Sequence, residues 1–138
     1  MINKIALVVL LGGSSFAYAD MSQQELAVGK WTIAPEWQQR FSPECRSMTI
    51  EFTRDQKIIR TTGELEYSSQ AEFTKVGDKI RIDEKLIDSN SKLSCGYKSA
   101  EAVISHLNQN AYFSVSQDRL YYYRSDKEKS LVVFSRTK

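Results

Sequence analysis

Apolar and polar residues alternate with a period of two along most of this chain. In the segment 48–53, for example, the apolar residues Met48, Ile50 and Phe52 are separated by polar ones. Successive side chains of a β-strand point to opposite faces, so this pattern predicts strands with one face on a core and the other in water. We count eight such segments, with predicted bounds 28–33, 47–54, 57–68, 71–76, 79–88, 111–116, 119–124 and 131–136.

The connections between these segments are short and rich in turn residues. The pairs at 55–56, 77–78 and 117–118 are predicted hairpin turns, because Gly, Asp and similar residues tolerate the backbone angles that tight turns require. Gly63 lies inside the segment 57–68 and is predicted to form a bulge or bend within a single strand. These short connections predict antiparallel neighbours.

One segment follows a helical period instead. Within 99–110, four apolar residues from Ala100 to Leu107 are spaced i, i+3, i+4 and i+7, which places them on one face of a helix. This helix would lie between the fifth and sixth strands. A shorter helix is predicted at 22–26, and the proline-containing segment 34–44 is predicted to be a loop.

The first nineteen residues have the composition of a secretory signal peptide. Lys4 precedes the apolar run 5–11, and the small residues Ala17 and Ala19 stand where a signal peptidase reads the chain, so we expect cleavage before Asp20. A membrane anchor would need about 20 apolar residues, and this run is too short. The prediction is a signal peptide at 1–19 and one domain at 20–138, in a secreted or periplasmic protein without a membrane span.

Cys45 and Cys95 are the two cysteines of the sequence. In an oxidising compartment we expect them to form one structural disulfide bond, which the chain-entropy model values at about 4 kcal/mol for a loop of roughly 50 residues. A metal site would need further ligands with local spacing, and a redox site would need a Cys-x-x-Cys motif, which the sequence lacks.

Eight antiparallel strands with short turns predict a mainly β fold, an eight-stranded antiparallel up-and-down barrel with one helix between strands 5 and 6. Closing the barrel removes the exposed sheet edges that promote aggregation. A β-sandwich capped by the helix is the alternative. A barrel of this size is either filled by its own side chains or holds one small ligand.

Two short motifs at the ends of the domain carry a resemblance. Gly29-Lys30-Trp31 opens the first strand and Arg136 closes the last. This arrangement resembles the calycin group, the lipocalins and their relatives, in which an Arg of the last strand packs across the Trp and closes one barrel end. The resemblance implies a lipocalin-like barrel with a small apolar ligand inside. The predicted helix between strands 5 and 6 departs from the group, where a helix follows the eighth strand.

The sequence offers little catalytic material. His106 is the only histidine, and Glu64 and Glu66 share the polar face of their strand. No nucleophile motif, phosphate-binding glycine loop or metal-ligand cluster is present, so we expect a non-enzymatic protein without cofactor or metal. An enzyme that uses Cys95 is the weakest option. The 19 Lys and Arg against 17 Asp and Glu leave a net charge of +2, which gives no reason to expect nucleic-acid binding.

Aromatic residues provide the candidate binding groups. Trp37 lies in the predicted loop, where it could cover a barrel mouth or meet a partner, and Tyr121-Tyr122-Tyr123 suits either a ligand wall or strand packing. The predicted ligand-contacting residues are Trp37, Phe52, Tyr67, Phe73, Phe113 and Tyr122.

Two functions fit these residues. The first is a binding protein for a small apolar ligand inside the barrel. The alternative is a protein-interaction module, such as a periplasmic enzyme inhibitor or immunity protein, with a partner in the same compartment. An interior cavity of about 300 Å³ or more favours the ligand, and a packed interior favours the interaction module.

Overall fold

The computed structural model describes residues 23–43, 46–92, 99–107, 111–124, 129 and 132–138. The described residues form eight antiparallel strands that close into a barrel in chain order, which confirms the predicted up-and-down barrel over the sandwich. The strands are β1 (Gly29–Ile33), β2 (Thr49–Phe52), β3 (Lys57–Thr62), β4 (Leu65–Val76), β5 (Lys79–Ser89), β6 (Ala111–Ser116), β7 (Arg119–Tyr123) and β8 (Val132–Arg136).

Three helices accompany the barrel in the described part of the chain. Helix α1 covers residues 23–27, close to the predicted 22–26. Helix α3 (Ala100–Leu107) lies between β5 and β6 as predicted, and Ser99 Oγ accepts the N–H of Ala102 at 3.1 Å, which caps its first turn. The short helix α2 (Pro35–Gln38) lies where a loop was predicted. Proline lacks an N–H and fixes φ, but neither property hinders the first turn of a helix.

The prediction of one bent strand over 57–68 is wrong. Thr62 and Leu65 are paired across the β3–β4 ladder, so Gly63 begins a two-residue hairpin turn with φ of 62°. Strand β4 then runs without a break through the predicted gap at 69–70. The predicted number of eight strands is still correct, because one missed turn and one falsely predicted gap cancel in the count. The false gap arose because Ser69 is a polar residue on the buried face of β4.

Of the other predicted hairpin turns, those at 77–78 and 117–118 are confirmed, while the connection predicted at 55–56 is longer, because β2 ends at Phe52 and β3 begins at Lys57. Val76 pairs with Lys79 across the turn at 77–78, and Ser116 pairs with Arg119 across the turn at 117–118. The irregularity that was expected at Gly63 lies further along the chain. Between β4 and β5 the register shifts at Ser68/Ser69, where Ile87 is the extra residue of β5.

The strand directions define two ends of the barrel. The end at which β1 begins carries α1 and the turns at 77–78 and 117–118, and we call it the α1 end. The opposite end, the loop end, is where the long connections leave the strands. The connections that contain Cys45 and Cys95 both start and finish at this end. Both cysteines and the signal peptide at 1–19 lie outside the described residues, so these predictions remain open.

The core fills the half of the barrel next to the α1 end. Trp31 and Phe113 are fully buried, and the ring of Phe113 packs against those of Phe52 and Phe73 with centroids 5.1 and 5.9 Å away. A second cluster lies toward the loop end, where Leu65 and Tyr67 of β4 pack against Ala100 and Ile104 of α3. This arrangement leaves the middle of the barrel for polar groups.

Candidate functional site

The predicted barrel-end residues Gly29, Trp31 and Arg136 lie together. The Arg136 guanidinium carbon is 4.2 Å from the centroid of the Trp31 ring, and Arg136 Nη1 donates to the carbonyl of Val28 at 3.1 Å. Trp31 Nε1 donates to the carbonyl of Ala27 at 2.8 Å. Together these contacts hold α1 against the barrel and close that end, which is the geometry implied by the calycin resemblance. Membership of that group remains a prediction.

The α1 end is a structural closure. The side-chain amide of Gln23 pairs with the backbone of Val115, its Nε2 donating to the carbonyl at 3.2 Å and its Oε1 accepting the N–H at 2.8 Å. Gly29 has a φ of 123°, and a Cβ there would stand 3.1 Å from Arg136 Nη1. No ligand group is needed to explain these residues.

Most of the predicted ligand-contacting residues serve the core. Phe52, Phe73 and Phe113 pack on one another inside the barrel, and Tyr67 packs with α3 in the second cluster. Tyr122 lies against the main cluster, and so does the half-buried Trp37 on α2. The structure therefore brings five of the six into or against the main core cluster and leaves Tyr67 in the other.

A small cavity of about 50 Å³ remains inside the barrel between described residues. Its walls are mainly apolar, and its lining residues are Met48, Thr49, Ile50, Arg60, Thr62, Tyr122, Val132 and Phe134. A drug-sized ligand needs about 300 Å³ or more. This cavity therefore has room for a group of a few atoms.

An ion pair that the sequence pattern did not predict lies in the middle of the barrel. Arg60 of β3 bonds Glu84 of β5, and the two side chains are 5% and 1% exposed. Arg60 Nη2 also donates to the Tyr122 hydroxyl at 3.0 Å, and its guanidinium carbon is 5.9 Å from the centroid of the Tyr67 ring. We call these four residues the polar centre. The alternation Ile58, Arg60, Thr62 could have revealed Arg60, because it places the charge on the apolar face.

The polar centre has distinct electrostatics. Burial raises the pKa of Tyr67 and of Tyr122, although the Arg60 charge opposes the rise, so both phenols stay neutral at ordinary pH. Burial works against the charge of Arg60, but the neighbouring Tyr122, Tyr67 and Glu84 outweigh it and raise the pKa of Arg60. The Arg60–Glu84 ion pair therefore lies among neutral phenols.

The tyrosine run at 121–123 divides between the two faces of β7. Tyr122 points inside, while Tyr121 and Tyr123 point outside with Tyr112 of β6, which pairs directly with Tyr123. We call Tyr112, Tyr121 and Tyr123 the outer tyrosine face. All three are partly exposed.

Polar contacts hold the outer tyrosine face in place. The Tyr123 hydroxyl is 3.1 Å from Ser114 Oγ, and Lys79 Nζ is 4.7 Å from the centroid of its ring. Arg119, two residues before Tyr121 on the same face, bonds Glu36 of α2. The face therefore continues toward α2 through a charged contact.

Comparisons with family models, curated proteins and solved structures find no match for this chain. Within the part of the chain that the structure describes, no helix is both long enough and apolar enough to cross a membrane. The described residues also contain no cluster of three or more His, Cys, Asp or Glu side chains that could hold a metal ion.

Proposed function

We propose that this chain is an exported protein-interaction module that binds a protein of its own compartment through the outer tyrosine face. The observation that carries the proposal is a set of three partly exposed tyrosines on two paired strands of a barrel whose half next to the α1 end is filled by its core. Export rests on the predicted signal peptide. The class includes enzyme inhibitors and immunity proteins.

The chemistry of the face supports this role. Tyr and Arg are enriched among the residues that dominate binding energy at protein interfaces, because they combine apolar area with hydrogen-bonding groups. Tyr123 is held by Ser114 and Lys79, so less side-chain freedom is lost on binding than for a mobile residue. A rigid barrel surface is a suitable support for such contacts.

The hypothesis of a small apolar ligand has less support. The cavity of about 50 Å³ is far smaller than such a ligand needs, and Phe52, Phe73 and Phe113 fill the adjacent interior. We therefore expect an apolar fluorescent probe neither to bind the purified domain saturably nor to raise its melting temperature.

Site-specific photo-crosslinking in the native host tests the proposal. A photoreactive amino acid replaces Tyr121 or Tyr123 in separate variants and, as a matched control, Glu51, which lies on the outer face of β2 away from β6 and β7. We expect one discrete adduct of the same mass from both tyrosine positions and none from Glu51. Equal adducts from Glu51, or no adduct from any position, would contradict the proposal.

A further inference from the structure

Two buried oxygen atoms, one in the polar centre and one beside it, accept no hydrogen bond from the described residues. Glu84 Oε2 and Ser69 Oγ are both buried and have no hydrogen-bond partner among those residues. Ser69 lies two residues along β4 from Ala71, which pairs with Glu84, so the two side chains are neighbours on the inner face of the barrel. A buried carboxylate oxygen without a donor is strongly unfavourable, so Glu84 Oε2 requires one.

The charge balance restricts what can meet this need. A buried Arg commonly binds a carboxylate or phosphate, but here Glu84 already neutralises Arg60. An anion would meet the Glu84 charge in a medium of low dielectric constant, and a cation would leave a net buried charge. The group that suits Glu84 Oε2 is therefore a neutral N–H or O–H donor, which Ser69 Oγ can also accept.

The cavity lies beside the polar centre. Arg60 and Tyr122 are among its lining residues, and Arg60 is the residue that contacts Glu84, which itself does not line the cavity. The lining also includes the apolar side chains of Ile50, Val132 and Phe134. A molecule of a few heavy atoms could place an apolar end in the cavity and a donor at the polar centre, with a small shift of the Arg60 side chain.

We infer that the barrel interior has a second site, formed by Arg60, Glu84, Ser69 and Tyr122 beside the 50 Å³ cavity, that binds a small neutral molecule with an N–H or O–H donor. Short amides and alcohols belong to this class. The site lies inside the barrel and is independent of the outer tyrosine face.

Three probes with four heavy atoms each separate the possibilities. Acetamide is a neutral donor, acetone is neutral without a donor, and acetate is an anion. Each is titrated into the isotope-labelled mature protein while the backbone amide resonances are followed by NMR. We expect acetamide to shift Ser69 and Glu84 saturably and to bind roughly tenfold more tightly than acetate, with Glu51 on the outer face as the control for solvent effects.

Two variants test the assignment of the atoms. Ser69→Ala removes a small buried hydroxyl, and we expect it to weaken acetamide several-fold while leaving the fold intact. Glu84→Gln removes the negative charge beside Arg60, so the preference should change from acetamide to acetate. The inference is overturned if no probe shifts Ser69 and Glu84 saturably, which would mean that the interior takes water alone. Acetate binding as tightly as acetamide would also overturn it.

Discussion

Gly29 combines an unusual backbone conformation with a close approach to Arg136, the residue that closes the α1 end. Its φ of 123° is a conformation that L side chains rarely adopt, and a Cβ would press on Arg136, which itself stacks on Trp31. A side chain at this position would therefore disturb both the start of β1 and the closure of the α1 end.

We predict that Gly29→Ala lowers the free energy of unfolding by about 1–3 kcal/mol, because it combines backbone strain with a contact to Arg136. The matched control is Gly77→Ala at a hairpin tip, where φ is 62° and a Cβ meets nothing within 4 Å. Its loss should be the smaller of the two, about 1 kcal/mol. Urea unfolding measures both values, and equal losses would contradict this account of Gly29.

The Arg60–Glu84 pair is the second feature at this scale. We predict that Arg60→Met lowers the free energy of unfolding by about 3–5 kcal/mol, because it leaves the Glu84 carboxylate buried without its partner. Adding Glu84→Leu should restore much of the loss, since the double variant buries no charge. A double-mutant cycle in urea checks this, and additive losses would show that the two side chains are not coupled.

Sequence patterns identify most residues of the barrel wall but not the Arg60–Glu84 ion pair of the polar centre. Alternation correctly places Phe52, Phe113 and Tyr122 inside, because the strand period fixes which face each side chain takes. Arg60 and Glu84 were missed because a charged residue normally indicates a wet face. The alternation around Arg60 does place it on the apolar face of β3, but its partner Glu84 comes from another strand, and that long-range contact leaves no local signal.

At the scale of elements, the β3–β4 hairpin shows how a correct pattern can be assigned wrongly. The alternation on both sides of Gly63 is real, but a two-residue turn preserves it across the hairpin, so the two strands looked like one. The α2 helix shows the reverse case, since the prolines Pro35 and Pro43 suggested a loop while Pro at the first turn favours a helix start.

We predict that Gly63→Val lowers the free energy of unfolding by about 1–2 kcal/mol, because a β-branched residue is strained at a φ of 62°. Gly63→Asn is the control, since Asn visits this conformation more easily. Thermal or urea unfolding of the two variants distinguishes a hairpin turn from a bent strand. If the Val variant is as stable as the Asn variant, the result would favour a single bent strand over residues 57–68 and contradict the hairpin turn.

At the scale of the whole molecule, burial of the two phenols of the polar centre contributes to global stability. The folded pKa of Tyr67 and of Tyr122 lies above the unfolded value of about 10. Above that pH the unfolded phenols lose protons while the folded ones keep theirs, so the stability that they contribute is complete below about pH 10 and is lost as the pH rises further.

We therefore predict that the free energy of unfolding falls with pH above about 10, and that the slope is smaller in the Tyr67→Phe/Tyr122→Phe variant. Urea unfolding at a series of alkaline pH values measures both slopes. Tyr112→Phe serves as the control, because that residue is partly exposed on the outer face. Identical slopes in all three proteins would mean that the buried phenols titrate normally.

The sequence predicts the architecture of the whole molecule better than its site. Period-two alternation and short turns specify eight antiparallel strands, and closure follows because such a sheet would otherwise expose its edges. The division of Tyr121, Tyr122 and Tyr123 between outside and inside also follows from the period. Whether the interior holds a ligand depends on side-chain volumes and on the twist of the barrel, which alternation does not encode.

The central claim is that this barrel works through its outer surface. The yield of crosslinked adduct from a photoreactive residue at Tyr121, relative to the yield at Glu51, tests it most directly. The account predicts one adduct of defined mass from Tyr121 that disappears when Tyr112 and Tyr123 are replaced by Ser, and none from Glu51. Equal yields at the two positions, or an adduct that survives those replacements, would contradict it.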